Sequence, residues 1–244
     1  MGDNLLTIKS LSAWYSKEKK VLSDFSIELK QNEVVGLIGL NGAGKTTFIK
    51  TLSGLHETFR AEEVRLHGCA VKFRDKKFKI SRYTVFAEDN SFQYFTFREY
   101  LSYVFAAYGR ELPDIAALIQ GFHFEEYTDV LMKDLSMGNR KKVFLITAFA
   151  LKPELLLLDE PVNGLDFQST EFLYQLIAGY KAYGTVLFSS HILESITLTS
   201  DRVLVLEDGH IRQNFEGSQI NTMNIRAALS YEDGAADEGD EPNV

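Results

Sequence analysis

The chain has 244 residues, 45% of them apolar, and a formal net charge of -8. This composition is typical of one well-buried globular domain. Six acidic residues and no basic residue lie in the segment 231–244, so the rest of the chain carries only about -2, which argues against a general nucleic-acid surface. The single cysteine, Cys69, excludes an internal disulfide framework and fits a reducing compartment.

The distribution of apolar residues along the chain indicates neither secretion nor membrane insertion. The N-terminal "MGDNLLTIKS" lacks the basic start and the long apolar core of a signal peptide. The longest apolar stretch, "VFLITAFAL", is about half the length that a bilayer-spanning helix needs. We therefore expect a cytosolic chain.

The first third of the chain is predicted to begin with three strands, "LLTIKSLSAWY", "FSIELK" and "EVVGLIGL". The third is almost entirely apolar, which favours a parallel strand buried on both faces. A helix follows over "GKTTFIKTLSGL" and ends at Gly54. From Thr58 to Arg82 the pattern is strand-like and increasingly basic, which favours a solvated sheet edge, with contact to lipid headgroups as the alternative.

The rest of the chain alternates between predicted helices and strands. The aromatic segment "FQYFTFREYLSYVFAAY" predicts a helix that begins near Thr96 and places Tyr100, Tyr103 and Val104 on one face. Further helices are predicted at "IAALIQGF", in the segment after Leu135 and around "TEFLYQLIAGY", and strands at "ELLLLDEP", "TVLFSSH" and "RVLVLEDGHI". The pattern indicates an α/β sheet carrying a helical lobe, followed by an acidic, disordered tail over 231–244.

The segment "GLNGAGKT", residues 39–46, matches the phosphate-binding pattern G-x-x-x-x-G-K-[ST] between a predicted buried strand and a predicted helix. Its glycines allow backbone N–H groups to turn inward around phosphate oxygens. Lys45 would reach the β- and γ-phosphates, and the Thr46 hydroxyl would bind Mg²⁺. A chance glycine turn is the alternative. The predicted nucleotide-binding residues here are Asn41, Gly42, Ala43, Gly44, Lys45, Thr46 and Thr47.

An acidic pair, Asp159 and Glu160, ends the apolar strand "LLLLDE". Ligands of open parallel sheets bind at the carboxyl ends of the strands. Asp159 suits the Mg²⁺ shell through water, and Glu160 could take a proton from an attacking water, a role worth about 10²- to 10⁴-fold in rate. The alternative is a polar strand end before the turn at Pro161.

The segment "DLSMGNRKKVF" predicts the start of a helix capped by Ser136. Free N–H groups and three following cations suit an anion. No phosphate loop adjoins this start in the sequence, so either the anion is bound elsewhere in the assembly or the segment is only a capped helix.

Taken in order, the phosphate loop, "LSMGN", "LLLLDEP", "NGLD" and "SSH" make the chain resemble the ATP-binding cassette (ABC) family of ATPases, from about Leu5 to Phe215. Within the family, "LIGLNGAGKTTFIKTLSGL" and "LLLLDEPVNGLD" look like the stand-alone ATPase subunits of bacterial exporters. The resemblance implies an α/β fold: a P-loop ATPase core with a mostly parallel sheet, an N-terminal antiparallel β subdomain and an inserted helical subdomain. It also implies an ATPase domain over 1–230, with the helical insertion at about 89–151 and the tail at 231–244.

The resemblance further implies that two cassettes pair head to tail, with Ser136 and Gly138 facing the γ-phosphate held by a partner chain. This sequence departs from the family's "LSGGQ" at Met137 and Asn139. We expect these changes to weaken, rather than abolish, function at the shared site.

Four other positions take roles implied by the resemblance. Tyr15 would stack on adenine, with Trp14 as the alternative, although either ring could belong to the core. Glu88 stands where the family has a glutamine that touches Mg²⁺ and the attacking water. Asp166 would communicate across the dimer or simply cap a helix, and His191 would sense the γ-phosphate. The predicted catalytic residues are Glu160, His191 and Glu88, and the predicted metal ligands are Thr46, Asp159 and Glu88.

The function implied is an ATP-binding and ATP-hydrolysing subunit that uses Mg²⁺ and powers a membrane transporter, most simply an exporter. Its partners would be an integral-membrane permease and a second ATPase protomer, identical or not, and no nucleic acid. The chain would lie in the cytoplasm, at the inner face of the cell membrane. The alternative function is a soluble ABC ATPase that acts on a nucleic-acid or ribosomal assembly.

Overall fold

A computed structural model describes residues 4–16 and 19–229, and the expected acidic tail at 231–244 lies outside these residues. The strands are β1 (Asn4–Ser16), β2 (Lys19–Lys30), β3 (Val34–Ile38), β4 (Phe59–Arg60), β5 (Glu63–Leu66), β6 (Cys69–Ala70), β7 (Arg82–Val85), β8 (Leu155–Asp159), β9 (Thr185–Ser189), β10 (Arg202–Glu207) and β11 (His210–Glu216). The helices are α1 (Lys45–Leu52), α2 (Lys76–Ser81), α3 (Phe97–Tyr108), α4 (Ala116–Gly121), α5 (Met137–Leu151), α6 (Phe167–Gly179), α7 (Leu193–Thr199) and α8 (Thr222–Leu229).

The N-terminal sheet is antiparallel, with the order β2-β1-β5-β6 and β4 paired to β1. Ile8 lies opposite Ile27 and Leu11 opposite Phe25, and all four side chains are buried. The antiparallel β subdomain expected from the sequence is confirmed.

The second sheet has the order β11-β10-β3-β9-β8-β7, and only β11 runs antiparallel to its neighbour. Every residue of β3, β8 and β9 is buried, because one face of the sheet packs against helices and the other against α1 and the N-terminal sheet. The mostly parallel core sheet is therefore confirmed. Its carboxyl ends bring the phosphate loop, Asp159 and Ser189 to one edge.

Helix α3 begins where the aromatic segment predicted. Thr96 forms a capping box with Glu99, whose backbone N–H donates to the Thr96 hydroxyl. Tyr100 and Val104 are buried, whereas Tyr103, which the prediction placed on the same face, is 52% exposed. Its ring instead lies on the surface of the lobe beside Phe92.

The strand-like interpretation of residues 58–82 is also partly wrong. Residues Lys76 to Ser81 form α2. The Asp75 carboxylate accepts a hydrogen bond from the Lys72 N–H and so stabilises a turn directly before the helix. Within the helix, the Phe78 side chain is buried in the core. Arg82 is not part of a solvated edge. Its side chain is buried and donates to the carbonyls of Ser53 and Phe73.

Helix α5 is almost entirely enclosed. Its residues from Lys141 to Leu151 are buried, and the helix packs between β7 of the parallel sheet and the helices α3 and α4. Its capped start at Ser136 therefore has a fixed position relative to the sheet. Within the described residues, none of the helices is both long enough and apolar enough to span a membrane.

Candidate functional site

The phosphate loop joins β3 to α1 in a conformation that requires glycine. Gly42 and Gly44 have φ values of 90° and 109°, which side chains rarely adopt. At Gly39, an added Cβ would lie inside van der Waals distance of the Leu206 carbonyl oxygen. The loop can therefore pass close to β10 and turn its N–H groups inward, as phosphate binding needs.

Lys45 begins α1 and folds back over the loop. Its Nζ donates to the carbonyl oxygens of Gly39 at 2.6 Å and Leu40 at 3.2 Å, and only 7% of the residue is exposed. Burial lowers the pKa of Lys45, while the nearby carboxylates of Glu160 and Asp159 oppose that shift. The amine is thus held beside the phosphate loop, where a triphosphate would supply further negative charge.

Thr46 and Asp159 meet although 113 positions separate them in the sequence. The Thr46 hydroxyl donates to Asp159 Oδ1 at 3.1 Å, and the Ser189 hydroxyl donates to the same oxygen at 2.7 Å. Asp159 is 1% exposed and lies directly opposite Ser189 on the neighbouring strand. Ser189 was not among the predicted site residues, although the motif "SSH" contains this hydroxyl at the end of a predicted strand.

These oxygen donors fit Mg²⁺. The ion binds few protein oxygens and keeps water and phosphate oxygens as its other ligands. The Thr46 hydroxyl and the Asp159 carboxylate lie within hydrogen-bond distance of each other and supply two such protein oxygens. Within the described part of the chain there is no cluster of three or more His, Cys, Asp or Glu side chains that could hold a metal by itself.

Glu160 and His191 form a second cluster at the same edge. His191 Nδ1 lies 2.8 Å from Glu160 Oε2, and the Glu160 N–H donates to the Ser189 hydroxyl at 3.0 Å. Glu160 has a φ of 47°, a left-handed conformation that costs a non-glycine residue about 1–3 kcal/mol and is common at functional sites. Its side chain is 13% exposed and that of His191 is 54% exposed, so the carboxylate is enclosed while the imidazole faces solvent.

Tyr15 lies close to the start of α1. The Thr47 hydroxyl lies 3.3 Å from the Tyr15 hydroxyl, and the Tyr15 ring meets the ring of His56 edge-on at 5.1 Å. Tyr15 is 56% exposed, whereas Trp14 is half-buried within β1. Stacking of Tyr15 on adenine stays a prediction. His56 was missed because no motif surrounds it.

The start of α5 is exposed and closely packed against another loop. Ser136 accepts from the Asn139 N–H at 3.2 Å, as a helix cap should. Met137 is 58% exposed, and its side chain lies over Gly164 of the "NGLD" segment. An added Cβ at Gly138 would overlap the Gly164 carbonyl oxygen. The effect of Met137 on turnover stays a prediction.

Asp166 caps α6 and pairs with a buried lysine. Its carboxylate accepts from the Ser169 N–H at 2.9 Å, and Lys142 Nζ lies 2.7 Å from Asp166 Oδ2. Burial alone would raise the pKa of the Asp166 carboxyl, but the hydrogen bonds from Lys142 and Ser169 hold it well below its usual range. The capping alternative therefore has direct geometric support, and a role across a dimer stays a prediction.

Glu88 lies in the exposed segment that follows β7. It lines a cavity of 260 Å³ together with Met137, Arg140 and Lys141, all from the first part of α5. The sequence indicated a role for Glu88, but it did not show that α5 supports this segment. Arg140 and Lys141 were treated there only as helix-start cations.

The comparisons with known proteins agree with this geometry. The family model described as ABC transporter matches residues 22–163. A putative ABC transporter ATP-binding protein of Bacillus subtilis, AlbC, is 35% identical over 222 residues, which cover 86% of this chain and 91% of that protein. The Bacillus subtilis ABC-type transporter ATP-binding protein EcsA is 30% identical and covers 96% of this chain and 94% of its own length.

Solved structures of ATP-binding cassettes are also similar to this chain. An ATP binding subunit of an ABC transporter superposes with a TM-score of 0.78 at 29% identity, covering 87% of this chain and 90% of that one. A dimeric ATP-binding cassette bound to ADP and Pi superposes with a TM-score of 0.76, and its 20% identity supports the fold alone. The chain belongs to the ABC transporter family, and it is an ATP-binding subunit with ATPase activity.

Proposed function

We propose that this chain binds and hydrolyses ATP with Mg²⁺ between two protomers and so powers export through a membrane permease. The observation that carries the proposal is the pair formed by Glu160 and His191, at 2.8 Å, beside the linked side chains of Thr46 and Asp159. A loop that binds phosphates and an enclosed carboxylate beside it supply the two requirements of hydrolysis: nucleotide positioning and activation of water.

Each residue of the pocket has a distinct task. Lys45 and the N–H groups of the loop bind the β- and γ-phosphates, while Thr46 and Asp159 hold the metal. When bound, Mg²⁺ neutralises charge that develops on the phosphates. Glu160 accepts the proton of the attacking water, and His191, on the solvent side of that carboxylate, contacts the γ-phosphate.

A second protomer would complete this pocket. The exposed cap at Ser136 presents helix N–H groups to solvent, a suitable place for a phosphate held by another chain. ATP binding would close the pair and hydrolysis would reopen it, because closure is favoured only while the triphosphate joins both faces. Gel filtration with and without ATP tests pairing directly.

The helical lobe is proposed to extend over about residues 89–151. An aromatic surface on this lobe would bind the permease. Phe92, Phe95 and Tyr103 have ring centroids within 6.0 Å of one another, and Tyr94 beside them is 76% exposed. Clustered exposed rings favour a partner surface. Through this contact the chain would lie at the inner face of the membrane. Recovery of a multi-spanning protein in a detergent pull-down supports this partner, whereas ribosomes or nucleic acid alone would support the soluble alternative.

The direction of transport needs its own test, because the relatives also include a phosphate import protein, PstB of Mycoplasma genitalium, at 29% identity. Export is favoured by the resemblance of the phosphate-loop and "LLLLDEP" segments. In vesicles that carry the permease and this subunit with its ATP site outside, export corresponds to ATP-dependent accumulation in the lumen. Depletion of preloaded cargo would indicate import.

The Glu160→Gln variant tests the catalytic assignment. We expect ATP turnover to fall by about 10²-fold or more while bound ATP is retained, because the amide keeps the shape of the side chain but cannot take a proton. Glu154→Gln is the matched control, since Glu154 is an exposed carboxylate that pairs with His67 and precedes β8, whereas Glu160 follows the other end of that strand. Near-normal turnover by Glu160→Gln would exclude Glu160 as the base.

A further inference from the structure

The segment from Phe86 to Asn90 is attached to α5 at both of its ends. Lys141 Nζ donates to the carbonyl oxygens of Phe86 at 2.8 Å and Ala87 at 2.6 Å. Arg140 Nη1 donates to Asn90 Oδ1 at 2.6 Å. Two consecutive side chains of one helix therefore hold the residues on either side of Glu88 and Asp89. We refer to Arg140 and Lys141 together as the α5 clamp.

Lys141 occupies an unusual place for a cation. It is 4% exposed, and its hydrogen bonds are made to backbone carbonyls. Burying a charge is costly unless neighbouring groups compensate. Here burial lowers the pKa of Lys141 to about 8, while Asp159, Glu160, Asp89 and Glu88 act in the opposite direction. The amine thus lies within the electrostatic reach of both the catalytic edge and the Glu88 segment.

Arg140 is fixed before it reaches Asn90. Its Nε donates to the Met132 carbonyl at 3.1 Å and its Nη2 to the Leu135 carbonyl at 3.2 Å. A guanidinium held at two points loses little further entropy when it binds a third. The turn that precedes α5, the helix itself and the Glu88 segment are therefore joined through one side chain.

We propose that the α5 clamp positions Glu88 at the nucleotide site, so that Arg140 and Lys141 are positioning residues for hydrolysis. This inference rests on the proposed function. Glu88 lines the same cavity as both clamp residues, and its backbone lies between their attachment points. The positive charge of Lys141 acts on the carboxylates of Glu88, Asp159 and Glu160 alike, so it also offsets the additional negative charge that Glu88 brings. The clamp explains how this chain accommodates an acid where the family has an amide.

A double-mutant cycle on the full chain tests the clamp. We expect Lys141→Met to lower kcat about tenfold and to change the KM for MgATP less than about twofold, because Lys141 Nζ donates to the carbonyls of Phe86 and Ala87 and acts through Glu88. In the Glu88→Ala background, adding Lys141→Met should reduce kcat by less than about twofold further, since the residue that it positions is already gone.

A matched control separates positioning from folding. Lys142→Met removes the next lysine of α5, which is buried to the same extent but bonds to Asp166 and to the Phe122 carbonyl. Its effect on kcat should be the same with Glu88 present or replaced by alanine, because it acts on another loop. In the nucleotide-free chain, hydrogen exchange of the amides at 86–90 should accelerate in Lys141→Met and stay at the wild-type rate in Lys142→Met.

Several results would overturn the proposal. An equal loss of kcat from Lys141→Met with and without Glu88 would show a general structural role, and unchanged exchange at 86–90 would show that the contact does not hold the segment. If Lys141→Met does not fold, Arg140→Met with Asn90→Ala tests the other end of the clamp, where additive losses would reject it. Failure of the proposed function looks different, since the wild-type chain would then turn over no ATP or Glu160→Gln would retain normal turnover.

Discussion

Replacing Gly138 with alanine should destabilise the chain and slow ATP turnover through one steric contact. The added Cβ would lie well inside the 3.4 Å at which ordinary contact with the Gly164 carbonyl oxygen begins. That oxygen belongs to backbone, so the clash cannot be relieved by rotation of a side chain. Gly164 is itself held at a φ of 82° in the turn that runs from Glu160 to Asp166.

The magnitude follows from two opposing effects. Overpacking of this kind costs about 1–3 kcal/mol, while alanine improves helix propensity by up to about 1 kcal/mol. Because the clash is with backbone, its cost should lie in the upper part of that range, at about 2–3 kcal/mol, and the net loss is then about 1–2 kcal/mol after the full propensity gain. For a domain of this size that loss lowers Tm by about 2–8 °C. Turnover should fall as well, because the displaced turn begins at Glu160.

Thermal unfolding of the nucleotide-free chain is the direct assay, with Gly179→Ala as control. Gly179 ends α6, and an added Cβ there would meet nothing within 4 Å. We expect the control to melt within about 2 °C of wild type, because surface substitutions rarely change stability by more than about 0.5 kcal/mol. A Gly138→Ala chain that melts at or above the wild-type temperature would refute the steric argument.

Two further predictions concern charged pairs. The pKa of Asp166 is held below the value of about 3.9 for an unfolded chain, so its stabilisation is complete at neutral pH and declines as the pH falls below about 4. Asp166→Asn should therefore lower Tm more at pH 7 than at pH 3, and equal shifts at both pH values would contradict the assignment. Arg202 Nη2 lies 2.6 Å from Glu33 Oε1, and both side chains are about 90% buried. Arg202→Met should lower the free energy of unfolding, measured in urea, by about 3–5 kcal/mol, because it leaves a buried carboxylate without its ion-pair partner. Adding Glu33→Gln should recover part of this stability. A wild-type urea midpoint for Arg202→Met would exclude this role.

The local features of the fold were predictable because neighbouring residues determine them. The apolar runs of β3 and β8 indicated buried parallel strands, the aromatic segment indicated a helix beginning near Thr96, and the glycine spacing indicated the phosphate loop. The prediction of a strand-like pattern failed at α2, where the basic segment forms a short helix. The Phe78 ring of this helix is buried in the core. Six residues are too few for a helical period to emerge above their charge.

By itself, the sequence determined which chemical groups this protein would use: a phosphate loop with Lys45 and Thr46, and an acid pair after a buried strand. Only the tertiary structure decided how they meet. Ser189 joins Asp159 to the Glu160 backbone because β8 and β9 are neighbours in the sheet, and Lys141 reaches the segment before Glu88 across 54 positions. Such contacts depend on strand order and helix packing, which bring together side chains that no local pattern relates.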